Sequence, residues 1–183
     1  MSNGKEQILL GEEEISRTLS RISHEIIEKN LDLSSLVLVG IFTRGVPLSK
    51  RIAENIKTIK GLDVPLGEMD VTFYRDDIHE LEPTMNVEKT HIPEELAGKT
   101  IVLVDDVLFT GRSIRAAVDH LIDFGRPAKV QLAVLLDRGH RELPIRPDYV
   151  GKNIPTTREQ RVQVLLKEID GKDQVILKDG DSD

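Results

Sequence analysis

The residues best suited to chemistry stand together at positions 104–113, where the sequence reads VDDVLFTGRS. Asp105 and Asp106 are adjacent carboxylates, which suit a vicinal diol or a hydrated metal ion at the end of a strand. Thr110 and Ser113 offer hydroxyl donors, and Gly111 allows the backbone to approach an anion closely. A ribose with hydroxyls on one side and a 5′-phosphate on the other would contact both groups.

An apolar run precedes the two acids, and an amphipathic stretch follows the Thr-Gly turn. Residues 101–104 therefore predict a buried parallel strand, and the residues after 113 predict a helix. The backbone N–H groups of residues 109–113 open that helix, where the helix dipole favours a phosphate dianion. A Walker B assignment is excluded because the chain has no GxxxxGK[ST] loop. The acidic pocket of a receiver domain would follow the first strand, much nearer the N-terminus.

Apolar periodicity elsewhere predicts the elements that position this motif. A helix over 12–29 is indicated by apolar residues at helical spacing, namely Ile15, Leu19, Ile22 and Ile26. The other predicted elements are strands over 36–42, 64–74 and 130–136, a helix over about 47–59, and a hairpin of 162–169 with 174–177. Strands that alternate with helices indicate an α/β fold with a central, mainly parallel sheet and helices on both faces.

Composition agrees with a single domain over residues 1–183. A hydrophobic content of 39% supports one core, and the length is too short for two ordinary domains. No apolar run is long enough to span a membrane, and the N-terminal residues lack the pattern of a secretory signal. The absence of cysteine excludes disulfides and thiolate metal sites. Together with the missing signal, it favours the cytoplasm.

Several motifs resemble those of one protein family. The motif at 104–113 is similar to the phosphoribosyl-pyrophosphate (PRPP) signature of type I phosphoribosyltransferases. TRG at 43–45, YRDD at 74–77, and DRGHRELPIR and DYVGKNIP within 137–155 are similar to the PyrR family. Members of that family are bifunctional pyrimidine-operon attenuation regulators and uracil phosphoribosyltransferases. The resemblance implies the type I phosphoribosyltransferase fold, with a flexible lid loop over about 75–99 and a small hood over about 137–160 together with the N-terminal segment.

The resemblance also implies a set of site residues. PRPP would be bound by Val104, Asp105, Asp106, Val107, Leu108, Phe109, Thr110, Gly111, Arg112 and Ser113. Pyrophosphate and the lid would involve Thr43, Arg44, Gly45, Arg75 and Asp76, and the uracil side would be formed by Asp137, Arg138, Gly139 and His140. Mg²⁺ would be held mainly through PRPP, with water-mediated contacts to the two acids of the motif. From the residues alone, Asp76 and Asp77 are equally consistent with a solvated charge pair, and His140 fits a surface role somewhat better.

Phe109 favours a pyrimidine base. Many purine phosphoribosyltransferases carry an aspartate immediately before the Thr-Gly of the motif, placed to contact N7, and this chain has phenylalanine there. Uracil is therefore preferred over hypoxanthine or guanine. This argument does not separate uracil from orotate, so a phosphoribosyltransferase for orotate or a purine, without an RNA-binding role, stays open as an alternative.

Charge is segregated along the chain in a way that suits RNA. Residues 126–161 contain eight basic and four acidic residues, whereas the whole chain has a net charge of −7. A local basic face can bind one RNA while the rest of the surface repels other polyanions, although such a stretch is more often a solvated face. With 3% aromatic residues, a folded hairpin is a better ligand than a stacked single strand.

The resemblance implies which residues contact that RNA. The set is Ser20, Arg21, His24, Arg141, Arg146 and Lys152, with serine at position 20 where the family has threonine. Occupancy by UMP or UTP would then switch binding of an mRNA leader hairpin from pyrimidine genes. A homodimer or tetramer is expected, because a basic face must span the hairpin.

Overall fold

The computed structural model describes residues 6–71, 90–93 and 95–180. The predicted lid residues Arg75, Asp76 and Asp77 lie outside these ranges. The strands are β1 (Glu6–Leu10), β2 (Leu36–Ile41), β3 (Leu66–Met69), β4 (Thr100–Leu108), β5 (Lys129–Asp137), β6 (Tyr149–Asn153), β7 (Arg161–Leu165) and β8 (Gln174–Lys178). The helices are α1 (Glu12–Lys29), α2 (Gly45–Lys60), α3 (Arg112–Phe124) and α4 (Lys167–Asp170).

Five parallel strands form the central sheet in the order β3-β2-β4-β5-β6. Alternate residues of each strand point to opposite faces, so the sheet has two cores. Leu36, Leu38 and Val102 pack with α1 and α2 on one face, whereas Ile101 and Leu103 pack with α3 on the other. The prediction of a mainly parallel sheet covered on both faces is therefore confirmed.

Helix α1 has the predicted bounds, and its apolar stripe is buried. Ile15 and Ile26 are completely buried, and Leu19 and Ile22 are nearly so. The helix begins after Gly11, whose N–H donates to the Glu14 carboxylate at 2.9 Å. Three acidic residues in the first turn also favour the positive end of the helix dipole. No helix in the described ranges combines the length and apolar character that a membrane crossing requires.

A second, antiparallel sheet forms the hood, in the order β1-β8-β7. The predicted pairing of two strands near the C-terminus is confirmed, but the first strand ends at Leu165 rather than at 169, because α4 and Gly171 form the connection to β8. The hood differs from the expected range of 137–160, because β6 within that range is a strand of the central sheet. Tyr149 is buried and pairs with Ala133, and a Cβ at Gly151 would lie 2.3 Å from the Leu135 carbonyl oxygen. Close parallel pairing with β5 therefore places β6 in the main sheet.

Arginine side chains of α2 and its preceding loop attach the hood to the central sheet. Arg51 forms two forked pairs, one with Glu168 at 2.6–2.8 Å and one with Asp173 at 2.8 Å. Its hydrogen bond lowers the pKa of Glu168. Burial raises the pKa of Asp173, but the hydrogen bonds from Arg51 and the Lys167 N–H outweigh burial, and the net shift is downward. The hood is thus held by charged contacts as well as by packing.

Candidate active site

The two acids of the motif lie in the last residues of β4, at the carboxyl edge of the sheet. Asp105 is 3% exposed and Asp106 is 6% exposed. The Asp106 N–H donates to Asp105 Oδ1 at 2.9 Å, and the Val107 N–H donates to Asp106 Oδ1 at 2.8 Å. Buried carboxylates require such donors, because an unpaired charge in a dry environment is costly. Both carboxyl groups are therefore held in fixed orientations at the edge where α/β sheets bind ligands.

This pair fits a magnesium ion that is carried by a substrate. Carboxylate oxygens are hard donors of the kind that Mg²⁺ prefers, and Mg²⁺ usually keeps several waters or substrate oxygens. Among the described residues, no group of three or more His, Cys, Asp or Glu side chains could form a complete protein cage. In the described part of the chain, we therefore consider Asp105 and Asp106 as the groups that would assist in holding the ion.

Gly111 is the N-cap of α3 and closely follows β4, so we call this N-terminal end of the helix its mouth. Its φ is +93°, a left-handed conformation that disfavours a side chain, and the helix begins at the next residue. Thr110 is 4% exposed, and its Oγ1 accepts a hydrogen bond from the Arg112 N–H at 3.3 Å. The turn thereby directs the positive end of the α3 dipole toward the carboxyl edge, where an anion is favoured.

Residues 142–145 hold this turn from the outside. The N–H groups of Glu142 and Leu143 donate to the Thr110 carbonyl at 2.9 and 3.3 Å. Ile145 packs against Gly111, where an added Cβ would lie 3.4 Å from its Cδ1. The Glu142 carboxylate also accepts from Arg112 Nε at 2.8 Å, and this hydrogen bond lowers the pKa of Glu142. The turn is therefore fixed by a segment that is distant in sequence.

The loop at 43–45 meets β4 through its glycine. A Cβ at Gly45 would lie 2.2 Å from the Val104 carbonyl oxygen and 3.3 Å from the Asp105 Cα. This contact brings the start of α2 next to the acidic pair, as the sheet-edge argument predicts. The Phe42–Thr43 peptide is cis, and Thr43 is exposed.

Arg44 of the same loop points to the hood. Its Nη2 donates to the two carboxylate oxygens of Asp170 at 3.0 and 3.3 Å. Its Nε is buried and has no hydrogen-bond partner in the described part of the chain. The loop is therefore tied to the hood on one side and to β4 on the other.

The predicted uracil side follows β5 and faces the phosphate turn. The Arg138 N–H donates to the Leu108 carbonyl at 3.0 Å, and its guanidinium lies 4.0 Å from the centre of the Phe109 ring. Gly139 donates to Asp137 Oδ1 at 3.0 Å. His140 has a φ of +64°, and its Nε2 lies 2.6 Å from the Thr156 carbonyl. Its ring also meets the Phe109 ring edge to face, with 5.9 Å between the centroids.

Arg141 is used inside this loop system. Its guanidinium donates to the Phe109 carbonyl at 2.9 Å, to the Ile145 carbonyl at 2.8 Å and to Asp137 Oδ2 at 2.5 Å. The predicted role of Arg141 in RNA contact is not tested by these bonds. They do assign it a position between the phosphate turn and the base-side loop.

The remaining predicted RNA residues divide between two places. Arg21 on α1 donates to the Gly151 carbonyl at 2.6 Å, next to the exposed Lys152. His24 is exposed and Ser20 is half-buried on the same helix. Arg146 is exposed on the segment between β5 and β6. The structure thus brings Arg21 and Lys152 together, whereas Arg146 stands on a different segment.

Sequence reasoning missed the side chains that connect these loops. Glu142, Asp170, Glu168 and Asp173 bind arginines of the site or of α2 across long stretches of chain. No local periodicity marks them, because each acts on a partner from another element. The one available signal for Glu142 was its place within the DRGHRE run, adjacent to residues already selected.

Known proteins share both the sequence and the fold. Residues 7–169 match the family described as "Phosphoribosyl transferase domain". The chain is 55% identical over 177 residues to "Bifunctional protein PyrR" of Chloroflexus aurantiacus, covering 97% of each protein. It is 57% identical over 175 residues to the protein of the same name from Alkaliphilus metalliredigens, covering 96% of each. A hypoxanthine phosphoribosyltransferase structure from Trypanosoma cruzi has a TM-score of 0.72 at 18% identity, over 96% of this chain and 97% of that one, which shows a shared fold.

Proposed function

Because the chain belongs to the PyrR family and carries a phosphoribosyl transferase domain, we propose that it has two activities that depend on one nucleotide site. It transfers phosphoribosyl from PRPP to uracil, giving UMP and pyrophosphate. It also regulates pyrimidine genes by transcription attenuation, through RNA binding that depends on uridine nucleotide. The observation that carries the proposal is the meeting of Asp105, Asp106 and the Gly111 turn at one sheet edge, beside Gly45.

The transfer activity uses each part of that edge. Asp105 and Asp106 hold the ribose hydroxyls and favour the positive charge that develops on the ribose ring as the C1′–O bond breaks. The mouth of α3 from Thr110 to Ser113 holds the 5′-phosphate. The loop at 43–45 offers its backbone and Arg44 to the departing pyrophosphate, and we propose the same role for Arg75 and Asp76. Holding both reactants in one geometry is the main catalytic contribution, since no covalent nucleophile is required.

A magnesium ion would supply charge neutralisation for the diphosphate of PRPP. It would be held mainly by PRPP oxygens, with Asp105 and Asp106 acting through water. Asp137, Arg138, Gly139 and His140 enclose the base, and Phe109 forms a wall of that subsite. This wall suits a pyrimidine, because it offers no hydrogen-bonding group to a purine N7.

The regulatory activity uses the same nucleotide site as a sensor. UMP or UTP orders the loops at the sheet edge, and the basic face then binds the leader hairpin of pyrimidine genes. The contact set is Ser20, Arg21, His24, Arg141, Arg146 and Lys152. We place the protein in the cytoplasm as a homodimer or tetramer, where a hairpin can contact more than one protomer.

The enzyme activity is tested with purified protein, Mg²⁺, PRPP and one base at a time. We expect UMP and pyrophosphate in equal amounts from uracil, and little product from orotate, hypoxanthine or guanine. A higher kcat/KM with any of those three bases would contradict the substrate assignment. If the protein released UMP but bound no leader RNA at saturating UMP, the proposed regulatory activity would be contradicted.

A further inference from the structure

Arg138 is a buried cation whose hydrogen-bond partners in the described chain are all neutral. It is 8% exposed. Its Nε donates to Thr156 Oγ1 at 3.2 Å, and its Nη2 donates to the carbonyls of Thr157 and Gln160 at 2.9 and 2.8 Å. Within the described residues no carboxylate forms an ion pair with it, and Nη1 takes part in none of these bonds. No carboxylate of the described residues therefore compensates the positive charge.

The other arginines near the site differ in this respect. They pair with carboxylates at 2.5 to 3.0 Å, as Arg44 does with Asp170, Arg51 with Glu168 and Asp173, Arg112 with Glu142, and Arg141 with Asp137. Arg138 is more buried than any of them, and burial lowers the pKa of its guanidinium. If Arg138 served only to anchor the loop to neutral oxygens, a neutral side chain could do so with a lower desolvation cost. The retained charge points to an anionic partner that arrives with the ligand.

The position of Arg138 indicates which part of the ligand it serves. Its backbone is bonded to the Leu108 carbonyl at the end of β4, and its guanidinium covers the ring of Phe109. Its guanidinium is bonded to residues 156–160 and not to the turn at Gly111, and Gly139 and His140 follow it directly in the chain. Arg138 thus belongs with the residues that we assign to the base rather than with the phosphate turn.

We propose that Arg138 stabilises the negative charge that develops on the carbonyl oxygens O2 and O4 of the pyrimidine when N1 loses its proton. This inference rests on the proposed transfer to uracil. In that step the N1–C1′ bond forms while the C1′–O bond to pyrophosphate breaks, and the N1 proton passes to solvent water. A nearby guanidinium stabilises the anionic base, and its effect is strengthened by the low exposure of Arg138, which is 8%. The ligand class is therefore a base whose reacting ring N–H is conjugated with carbonyl oxygens and can ionise.

The test compares two bases of different acidity in three proteins. We would measure kcat/KM across pH for uracil and for 5-fluorouracil, whose N1–H is more acidic, with the wild-type chain, Arg138→Gln and Arg138→Lys. If Arg138 favours ionisation of the bound base by about one pKa unit, Arg138→Gln should lower kcat/KM for uracil about tenfold. The loss should be much smaller for 5-fluorouracil, because its N1–H ionises more readily. The uracil profile of Arg138→Gln should also move to higher pH. Arg138→Lys keeps the charge, and its kcat/KM for uracil should lie between those of the wild-type chain and Arg138→Gln.

Arg158→Gln is the matched control. Arg158 lies on the same segment as Thr157, but its side chain is 60% exposed and lies 3.6 Å from Glu142. We expect this variant to show the wild-type ratio between the two bases. A loss in Arg138→Gln that is equal for both bases, with no shift in pH profile, would assign Arg138 to loop anchoring or to the phosphate and would overturn the proposal.

The wild-type measurement separates this inference from the function on which it rests. Absence of UMP from the wild-type chain with uracil would overturn both. Normal wild-type turnover combined with an unchanged base ratio in Arg138→Gln and Arg138→Lys would overturn the inference alone. If Arg138→Gln fails to fold, Arg138→Lys decides the test: a partial loss that is larger for uracil than for 5-fluorouracil supports the inference, and the wild-type base ratio and pH profile overturn it.

Discussion

At the scale of single residues, the site consists of groups whose hydrogen bonds fix their direction. Asp105 and Asp106 are oriented by backbone N–H groups one residue further on. The sequence predicted these two acids because an apolar strand ends in them. It could not predict that Arg138 covers Phe109, since these residues meet only when two strand ends are adjacent. Side-chain partners that depend on tertiary contact were therefore beyond sequence reasoning.

Asp106→Asn should lower kcat/KM for UMP formation by about a hundredfold, the size expected when one oriented electrostatic group is lost at a reacting centre. The amide keeps the shape but loses the charge that favours the ribosyl cation. Initial rates with PRPP and uracil measure the effect. Asp119→Asn is the control, because Asp119 lies exposed on α3, where it is 3.6 Å from Arg115. Equal rates for Asp106→Asn and Asp119→Asn would contradict the assigned role.

At the scale of elements, local patterns predicted most of the fold and long-range contacts decided the remainder. The apolar stripe at helical spacing predicted α1, and the apolar run of residues 130–136 predicted β5. In contrast, β6 was expected in the hood, because its membership of the main sheet depends on pairing with β5 and on the close contact at Gly151. The contacts of Arg44 and Arg51 with the hood join residues more than 110 positions apart. Such pairs leave no periodic trace in the sequence.

Gly45→Ala should disturb the junction between α2 and β4. The new Cβ would lie 2.2 Å from the Val104 carbonyl oxygen, so the loop at 43–45 has to move away from Asp105. We expect a loss of about 2 kcal/mol in the free energy of unfolding, as for other overpacked sites, together with a higher KM for PRPP. Chemical denaturation and steady-state kinetics provide the two measurements.

Gly11→Ala serves as the control for that substitution. Gly11 has a φ of −95°, and the nearest atom to its added Cβ is 3.9 Å away. Because alanine is a poorer N-cap than glycine, we expect a loss of up to about 1 kcal/mol in the free energy of unfolding and no change in KM for PRPP. If Gly45→Ala behaved in the same way as Gly11→Ala, the close contact between α2 and β4 would not matter for the site.

Arg51→Gln should weaken the hood and change how stability depends on pH. The pKa values of Glu168 and Asp173 lie below their ordinary 4.5 and 3.8 in the folded chain. Their stabilisation is therefore present above those ordinary values and is lost as the pH falls through the folded-state pKa values. We expect Arg51→Gln to lose about 2 kcal/mol at pH 7 and to show a smaller decline on acidification.

Denaturation of wild type and Arg51→Gln between about pH 7 and pH 3 measures this difference. Arg115→Gln is the control, since Arg115 and Asp119 are both about two-thirds exposed and 3.6 Å apart. It should change stability little at any pH. Parallel pH curves for wild type and Arg51→Gln would rule out the hood contacts as the source of the acid sensitivity.

At the scale of the whole molecule, one nucleotide site is proposed to carry out catalysis and to control RNA binding by the basic face. Arg141 connects Phe109 at the phosphate turn to the base-side loop, so its substitution should impair both activities and cannot separate them. Arg146 is exposed and is the better residue for separation. Reciprocal linkage requires that UMP and RNA tighten each other's binding by the same factor.

Arg146→Gln should weaken leader RNA binding and leave uracil transfer at the wild-type rate. Loss of one phosphate contact should reduce the slope of log affinity against log salt by about one. Filter binding at several salt concentrations measures the slope. Arg126→Gln provides the comparison, because Arg126 is also exposed but lies on a different segment, between α3 and β5. Equal RNA affinities for the two variants would remove Arg146 from the interface.

The most direct test of the shared site is the RNA affinity of wild type and Asp106→Asn as a function of UMP concentration. We predict equal affinities without nucleotide, a rise with UMP for wild type, and a rise displaced to much higher UMP for Asp106→Asn. A variant that has lost uracil transfer but responds to UMP at wild-type concentrations would show that catalysis and regulation use different sites.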